Sequence, residues 1–145
     1  MSNRSDFNAR LQPASVLASD FLYADLPMAF NVHPLHNDIK PLVDIDAVKQ
    51  SVKNLVLTNY FDIPFHPEIG SNVSSLLFEL VDQFTAEAIK REIRQVLYKY
   101  ERRVQVLDVD VIDQADQNAY QVSIKFLVVA NDKEIDIEFY LNRQR

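Results

Sequence analysis

The apolar period changes once along this chain, and the change fixes the order in which its layers are built. Before about residue 103, apolar residues recur three and four apart; after it they alternate. Ile45, Val48, Val52, Leu55 and Val56 share one helical face over about residues 45–57, and Ile89, Ile93, Val96, Leu97 and Tyr100 form a second, longer stripe. Tyr120, Val122, Ile124, Phe126 and Val128 alternate with mostly polar residues, as do Ile135, Ile137, Phe139 and Leu141, with Ala-Asn-Asp at 130–132 as turn chemistry between them. Val104 to Ile112 reads as a preceding strand with apolar residues on both faces, joined through a polar loop. The expected fold is α+β: an N-terminal arm and helices packed on one face of a C-terminal antiparallel sheet of three or slightly more strands.

The second constraint is a scarcity. Gly70 is the only glycine among 145 residues. It lies where helical periodicity stops and restarts, after Pro64 and Pro67, which bias their predecessors out of the helical region. A glycine there permits a positive φ just before a new helix start at Ser71 or Asn72, so Pro67, Glu68 and Gly70 are read as a structural hinge of fixed shape. Val73, Leu76, Leu77 and Leu80 then form a short helix. Asp44 is the expected N-cap of the first helix and Thr85 of the long one. Met28 to Val32 is read as a short strand. Residues 1–26 are polar, carry Pro13 and show no sustained period, which suits a flexible or extended arm; residues 27–145 are expected to form one domain.

Composition narrows the classes. At 48% hydrophobic and 25% charged residues the chain sits with ordinary globular proteins, and no apolar run approaches the ~20 residues of a membrane span. Cysteine is absent, which removes disulfides and thiolate chemistry. The net charge of −6 argues against binding through nucleic-acid phosphates. The charge is also unevenly placed. Residues 90–103 hold six basic side chains against two acidic, and residues 104–145 hold eight acidic against four basic. Such asymmetry suits a protein that docks different partners on different faces, and equally suits solvated faces of a helix and a sheet.

Catalytic and metal-binding patterns are thin. His33, His36 and Asp38 are close in sequence, but their spacing matches no common closed metal site. His66 with Glu68 has the composition of an acid–base pair and no serine or cysteine motif to activate. A glycosidase needs two carboxylates about 5 to 10 Å apart across a sugar cleft. Glu101 and Asp110 have the separation found in phage-type lysozymes, but Asp116 stands where that pattern has a threonine. The chain has no tryptophan to serve as a sugar platform.

Asn54, Leu55, Leu57 and Thr58, then Pro67, Glu68, Gly70 and Ser71, then Leu76, Leu77, Phe78 and Glu79 occur in an order and spacing that resembles the baseplate wedge family of contractile-tailed phages. This is the lysozyme-like baseplate subunit shared with type VI secretion systems, and the likeness is nearest to the T-even type. It spans about residues 30–141. That family carries a Glu-Pro-Arg motif where the long helix passes into the first strand; here Glu101, Arg102 and Arg103 stand in its place, with the proline replaced.

The resemblance implies a structural subunit and no enzyme, cofactor or metal. Its place would be the tail baseplate of a virion, assembled in the host cytoplasm. It would sit on the wedge core bundle through Glu101, Arg102 and Arg103 and present its sheet to the tail sheath, templating the first sheath ring. The other expected partners are baseplate wedge proteins and tube-associated baseplate proteins, with no nucleic acid and no membrane. The last strand, whose outward acids are Glu134, Asp136 and Glu138, offers unpaired backbone groups to an added strand. Those acids also keep an edge from aggregating, and both roles are compatible. A cell-wall glycosidase and the type VI secretion counterpart are the alternatives.

Overall fold

The computed structural model describes residues 22–30, 32, 39, 41–80, 82–114 and 117–142. Residues 1–21 of the expected arm, His33, His36, Asp38 and Asp116 lie outside them. In chain order the elements are β1 (Ala24–Asp25), β2 (Leu42–Val43), α1 (Asp44–Leu57), α2 (Val73–Leu76), α3 (Gln83–Tyr100), β3 (Val104–Gln114), β4 (Ala119–Val128) and β5 (Lys133–Asn142). β1 and β2 pair as a small antiparallel sheet, and β3, β4 and β5 form a three-stranded antiparallel meander in chain order. No helix among the described residues is long and apolar enough to cross a membrane.

Alternation gives the meander one apolar face. The register places Val109 beside Ile124 beside Ile137, and Val106 beside Phe126 beside Ile135, so the inward residues of three strands form continuous rungs. β4 is central, and its Tyr120, Val122, Ile124, Phe126 and Val128 are all buried. α3 lies along β3 and α1 packs against α3. Ile89, Ile93 and Leu97 of α3 meet Val48, Val52 and Val56 of α1 in the same core. Fully burying one such aliphatic side chain is worth about 1.5–3 kcal/mol. Leu107 is the extra residue of a bulge between Val106 and Asp108 and faces solvent.

Several local expectations are corrected. Asp44 does not cap α1: Val43 holds the cap position, while Asp44 is the first helical residue, at φ 47°. Its carboxylate instead accepts from the backbone N–H groups of Leu22 and Tyr23, because the arm runs back across the helix start. Thr85 does not cap α3 either; the carboxylate of Asp82 does, accepting from the Thr85 N–H at 2.7 Å. α2 stops at Leu76, and Leu80 is exposed. The early strand is Ala24–Asp25, pulled into place by Leu42–Val43, whereas Met28 and Ala29 lie in a turn and Val32 makes only an isolated bridge to Ile39.

The lone glycine has a steric cause as well as a conformational one. Gly70 sits at φ +151°, and a Cβ there would lie 2.6 Å from both the carbonyl carbon and oxygen of Asn59 and 2.8 Å from the Tyr60 nitrogen. The loop crosses itself at this point: Asn59 and Ser71 form a parallel bridge, and the Ser71 N–H donates to the Thr58 carbonyl at 2.8 Å. Elsewhere the chain reaches positive φ without glycine, with Asn118 and Asp132 at the two hairpin turns and Phe61 and Phe65 within the loop. The glycine therefore stands where any Cβ would run into the backbone of Asn59 and Tyr60. Gly70→Val is expected to lower stability by roughly 3 kcal/mol or to prevent folding. A urea unfolding midpoint equal to that of the wild type removes this account.

Candidate functional site

Three groups converge where α3 hands over to β3. Helix α3 ends at Tyr100, and Glu101 follows as its C-cap, its N–H donating to the Leu97 carbonyl. The next residues turn the chain into β3, which brings the Arg103 side chain back over Glu101. Arg103 Nε donates to Glu101 Oε1 and Nη2 donates to Oε2, both at 2.7 Å, a bidentate fork. Ser51, on the inner side of α1, closes the group: its Oγ donates to Glu101 Oε2 at 2.6 Å and accepts from Arg103 Nη2 at 2.8 Å. Glu101 is 5% exposed, so its carboxylate is spent inside the fold.

The electrostatics follow from that packing. Burial pushes the Glu101 carboxyl up, but the hydrogen bonds from Arg103 and Ser51 and the Arg103 charge outweigh it and hold the carboxyl below the usual carboxylate range. Arg103 is raised in turn, first by its bonds to Glu101. Its Nη1 makes no hydrogen bond among the described residues, while the ring of Tyr23 lies 5.4 Å from the guanidinium carbon and Asp25 adds its charge nearby. Arg103 is thus a half-buried cation aimed by a buried carboxylate, with one nitrogen left over.

The six residues expected to meet partners fall into three places. Glu101 and Arg103 are brought together. Arg102 is exposed and turns to a groove of about 760 Å³ between α3 and β3, where it joins Arg91, Arg94 and Tyr98. Glu134, Asp136 and Glu138 stand exposed on the uncovered side of β5, two strands away. Asp136 is opposite Lys125 and accepts from Ser123 Oγ at 3.1 Å. β3 and β5 are the two edges of the sheet. Between β5 and α1 an open cleft of about 1030 Å³ is lined by Met28, Lys49, Lys53, Leu57, Ile137 and Glu138, among others.

The loop that holds Pro67, Glu68 and Gly70 is fastened at many points. The Pro67 carbonyl accepts from the Phe61 N–H at 3.0 Å, the Glu68 carbonyl accepts from the Tyr100 hydroxyl, and Glu92 of α3 accepts from the Asn72 N–H and the Tyr60 hydroxyl. His66 and Glu68 approach to 3.2 Å on the surface, and the Glu68 carboxyl is lowered by its own backbone N–H and by His66. Phe61 and Phe65 are nonetheless exposed. Sequence reasoning missed Ser51, Tyr23 and Asp25. Ser51 gave a signal, a hydroxyl beside Val48 and Val52 on an otherwise apolar stripe; Tyr23 and Asp25 lay in the arm and gave none.

Over residues 43–133 the chain matches the protein family described as baseplate wedge protein gp25. It is 30% identical over 118 residues to baseplate wedge protein gp25 of Enterobacteria phage T4, a span covering 73% of this chain and 89% of that protein. Among solved structures it is similar to a putative tail lysozyme from Geobacter sulfurreducens, with a TM-score of 0.63 at 16% identity over 68% of this chain and 89% of the other. It is also similar to a chain of the anti-feeding prophage baseplate, with a TM-score of 0.58 at 14% identity over 85% and 87%. A chain of the postcontracted pyocin R2 baseplate gives 0.50 at 17% identity over 83% and 100%. At these identities the structural likenesses speak for the fold alone.

The ion pair has a pH signature. Because the folded carboxyl of Glu101 lies below its unfolded value, its contribution is present above the ordinary carboxylate range and is lost as pH falls through the folded value. Glu101→Gln is expected to cost roughly 2 kcal/mol near neutrality, at the low end for a buried pair because Arg103 stays a third exposed. The difference between the two proteins narrows on acidification. Denaturant titrations of both across pH 3 to 7 check it, and a gap that stays constant with pH contradicts the assignment.

Proposed function

The chain belongs to the baseplate wedge protein gp25 family, and from that premise we propose that it is a structural subunit of a contractile-tail baseplate in the virion, joining the wedge core bundle to the tail sheath. It works by docking and catalyses nothing. The observation that supports this reading is the Arg103 guanidinium, which lies inside the family-matched span and is fixed by Glu101 and Ser51, with Nη1 making no hydrogen bond among the described residues. A pre-positioned arginine loses little side-chain entropy on binding and recognises a carboxylate or carbonyl of another chain. Glu101 acts through Arg103, and Arg102 widens the basic surface toward α3.

The sheet supplies the second surface. Among the described residues no strand pairs with the outer edge of β5, and Glu134, Asp136 and Glu138 flank it, so in this reading it accepts a strand of the sheath and templates the first sheath ring. Tube-associated baseplate proteins are further neighbours in this reading. The sites stand on opposite edges of the sheet, which lets one subunit hold two partners without overlap.

A glycosidase fits the geometry poorly. A general acid needs a carboxyl whose pKa is raised so that it holds a proton to give. Glu101 is shifted the other way, both its oxygens are engaged, and Asp110 is exposed on a strand whose neighbour Val109 points to the core.

The two surfaces are separable by substitution. Arg103→Ala would strip the buried carboxylate of its counter-ion, so Arg103→Lys, which keeps the charge and loses the fork, is the cleaner probe. It is expected to weaken binding to the wedge by about tenfold or more. On β5, reversing Asp136 would set a lysine opposite Lys125, whereas Glu134 and Glu138 face Leu127 and Ser123. Glu134→Lys with Glu138→Lys should join wedges normally and nucleate sheath poorly, and Arg103→Lys should do the reverse. Normal sheath nucleation by the double variant at low salt makes the acidic row a solubility device.

A further inference from the structure

Helix α3 gives the core its Ile89, Ile93, Val96 and Leu97, and the residues between them turn the other way. Arg91, Arg94, Gln95 and Tyr98 recur at intervals of three and four, so they share one face, and Arg102 follows four residues after Tyr98. That face and the start of β3, from Val104 to Val106, are the two walls of the groove of about 760 Å³. Its side chains are not spent inside the fold. Arg91 and Arg102 make no ion pair or hydrogen bond among the described residues, and Tyr98 is 88% exposed. The one acid in the lining, Glu101, has both oxygens engaged by Arg103 and Ser51. Beyond the lining, Asp108 approaches Arg94 to 3.5 Å in an exposed pair, Glu87 and Lys90 stand together toward the helix start, and Asp110 lies further along β3.

Two features of the groove select its occupant. The first is charge: three arginines line it and no free carboxylate does, in a chain whose net charge is −6. The second is backbone. β3 is an edge strand, the Val129 N–H donates to the Arg103 carbonyl at 3.0 Å, and Gln105 lies opposite Leu127. The bonded pairs therefore fall at 103 and 105, and the alternation of an antiparallel ladder turns the backbone of Val104 and Val106 away from β4, to the open edge. The Val104 N–H is taken by the Glu101 carbonyl; the carbonyls of both residues and the Val106 N–H are matched by a polypeptide laid along the edge, which a small anion would leave unmet. Tyrosine and arginine are also the side chains that anchor protein interfaces. We infer that this groove takes an extended acidic segment of a neighbouring wedge protein. Its carboxylates meet Arg91, Arg94 and Arg102, its backbone follows Val104 to Val106, and the bulge at Leu107 marks where that path ends. The inference rests on the baseplate reading and adds a contact distinct from Arg103 Nη1 and from the acidic edge of β5.

The test uses the full chain and a wedge complex reconstituted from the other baseplate wedge proteins of the same phage. Arg91→Glu with Arg102→Glu alters two exposed, unpaired side chains, so the melting temperature is expected to hold while affinity for the wedge falls by about tenfold or more and its salt dependence flattens. Arg91→Lys with Arg102→Lys keeps the charge and should keep the salt dependence. A photoreactive benzoylphenylalanine in place of Tyr98 is expected to cross-link one segment of a wedge protein, and peptide mapping should find that segment acidic. In hydrogen exchange, the Val106 amide should gain protection in the complex. Wild-type affinity of the glutamate variant, a cross-linked segment without an excess of acids, or a Val106 amide that gains no protection overturns the inference. If Arg103→Lys weakens binding and the groove variant does not, the wedge-docking reading of Arg103 stands and the groove falls. If only the groove variant weakens it, the groove stands and Arg103 is not the anchor. Lost sheath nucleation with wedge affinity intact would assign the groove to the sheath, and a double-stranded oligonucleotide held by the wild type but not by the variant would assign it to nucleic acid; either result overturns the inference.

Discussion

A carboxylate taken out of water must be neutralised where it lies, and at Glu101 that requirement draws four parts of the chain to one point. Ser51 belongs to α1, Glu101 ends α3, Arg103 begins β3, and Tyr23 brings the N-terminal segment over the guanidinium. The apolar core decides that helices lie on the sheet but is indifferent to small slides between them. A bidentate fork is not, because its two 2.7 Å bonds fail together if α1 or the α3–β3 corner shifts by an ångström. Desolvation offsets much of the attraction, so the group's contribution is to registration more than to net stability.

In the proposed reading, the same group lets a docking role and a structural role meet in one motif. An arginine on a flexible tether loses rotamer freedom when it binds; Arg103 has already lost it on folding. The turn between Glu101 and Arg103 is closed without a proline, by their own side chains and by the Val104 N–H donating to the Glu101 carbonyl. Arg102, not needed for that turn, faces the groove beside α3.

Layers and strand order were legible in the sequence because both rest on period. Alternation in 119–141 and the stripes of α1 and α3 are dictated by burial on one face, and no tertiary accident competes with that signal. Caps were less legible: Asp44 and Asp82 are both acids at helix starts, and only the path of the arm decides that one binds the arm and the other its own helix. Glu101, Arg103 and Gly70 were singled out from the sequence, but not the reasons for their geometry. Ser51 is 50 residues from Glu101, and the Asn59 backbone that excludes a Cβ at Gly70 approaches only because the loop closes on itself. Tyr23 and Asp25 had no periodic or compositional mark, since their segment is held through its backbone, by Asp44, Gln50 and β2, and such bonds leave no trace in the segment's own side-chain pattern.

The chain order of this fold, helices first and sheet last, has a consequence during synthesis. The stripe of α1 leaves the ribosome with nothing to pack on, and the central strand that completes its core follows roughly 60 residues later, several seconds at ~5–20 residues per second. In that interval the acids and lysines on the outer faces of α1 and α3 are what keep the nascent chain from sticking to its neighbours. The meander then forms from hairpins that are local in sequence, so the late half of the molecule closes quickly over the half that waited.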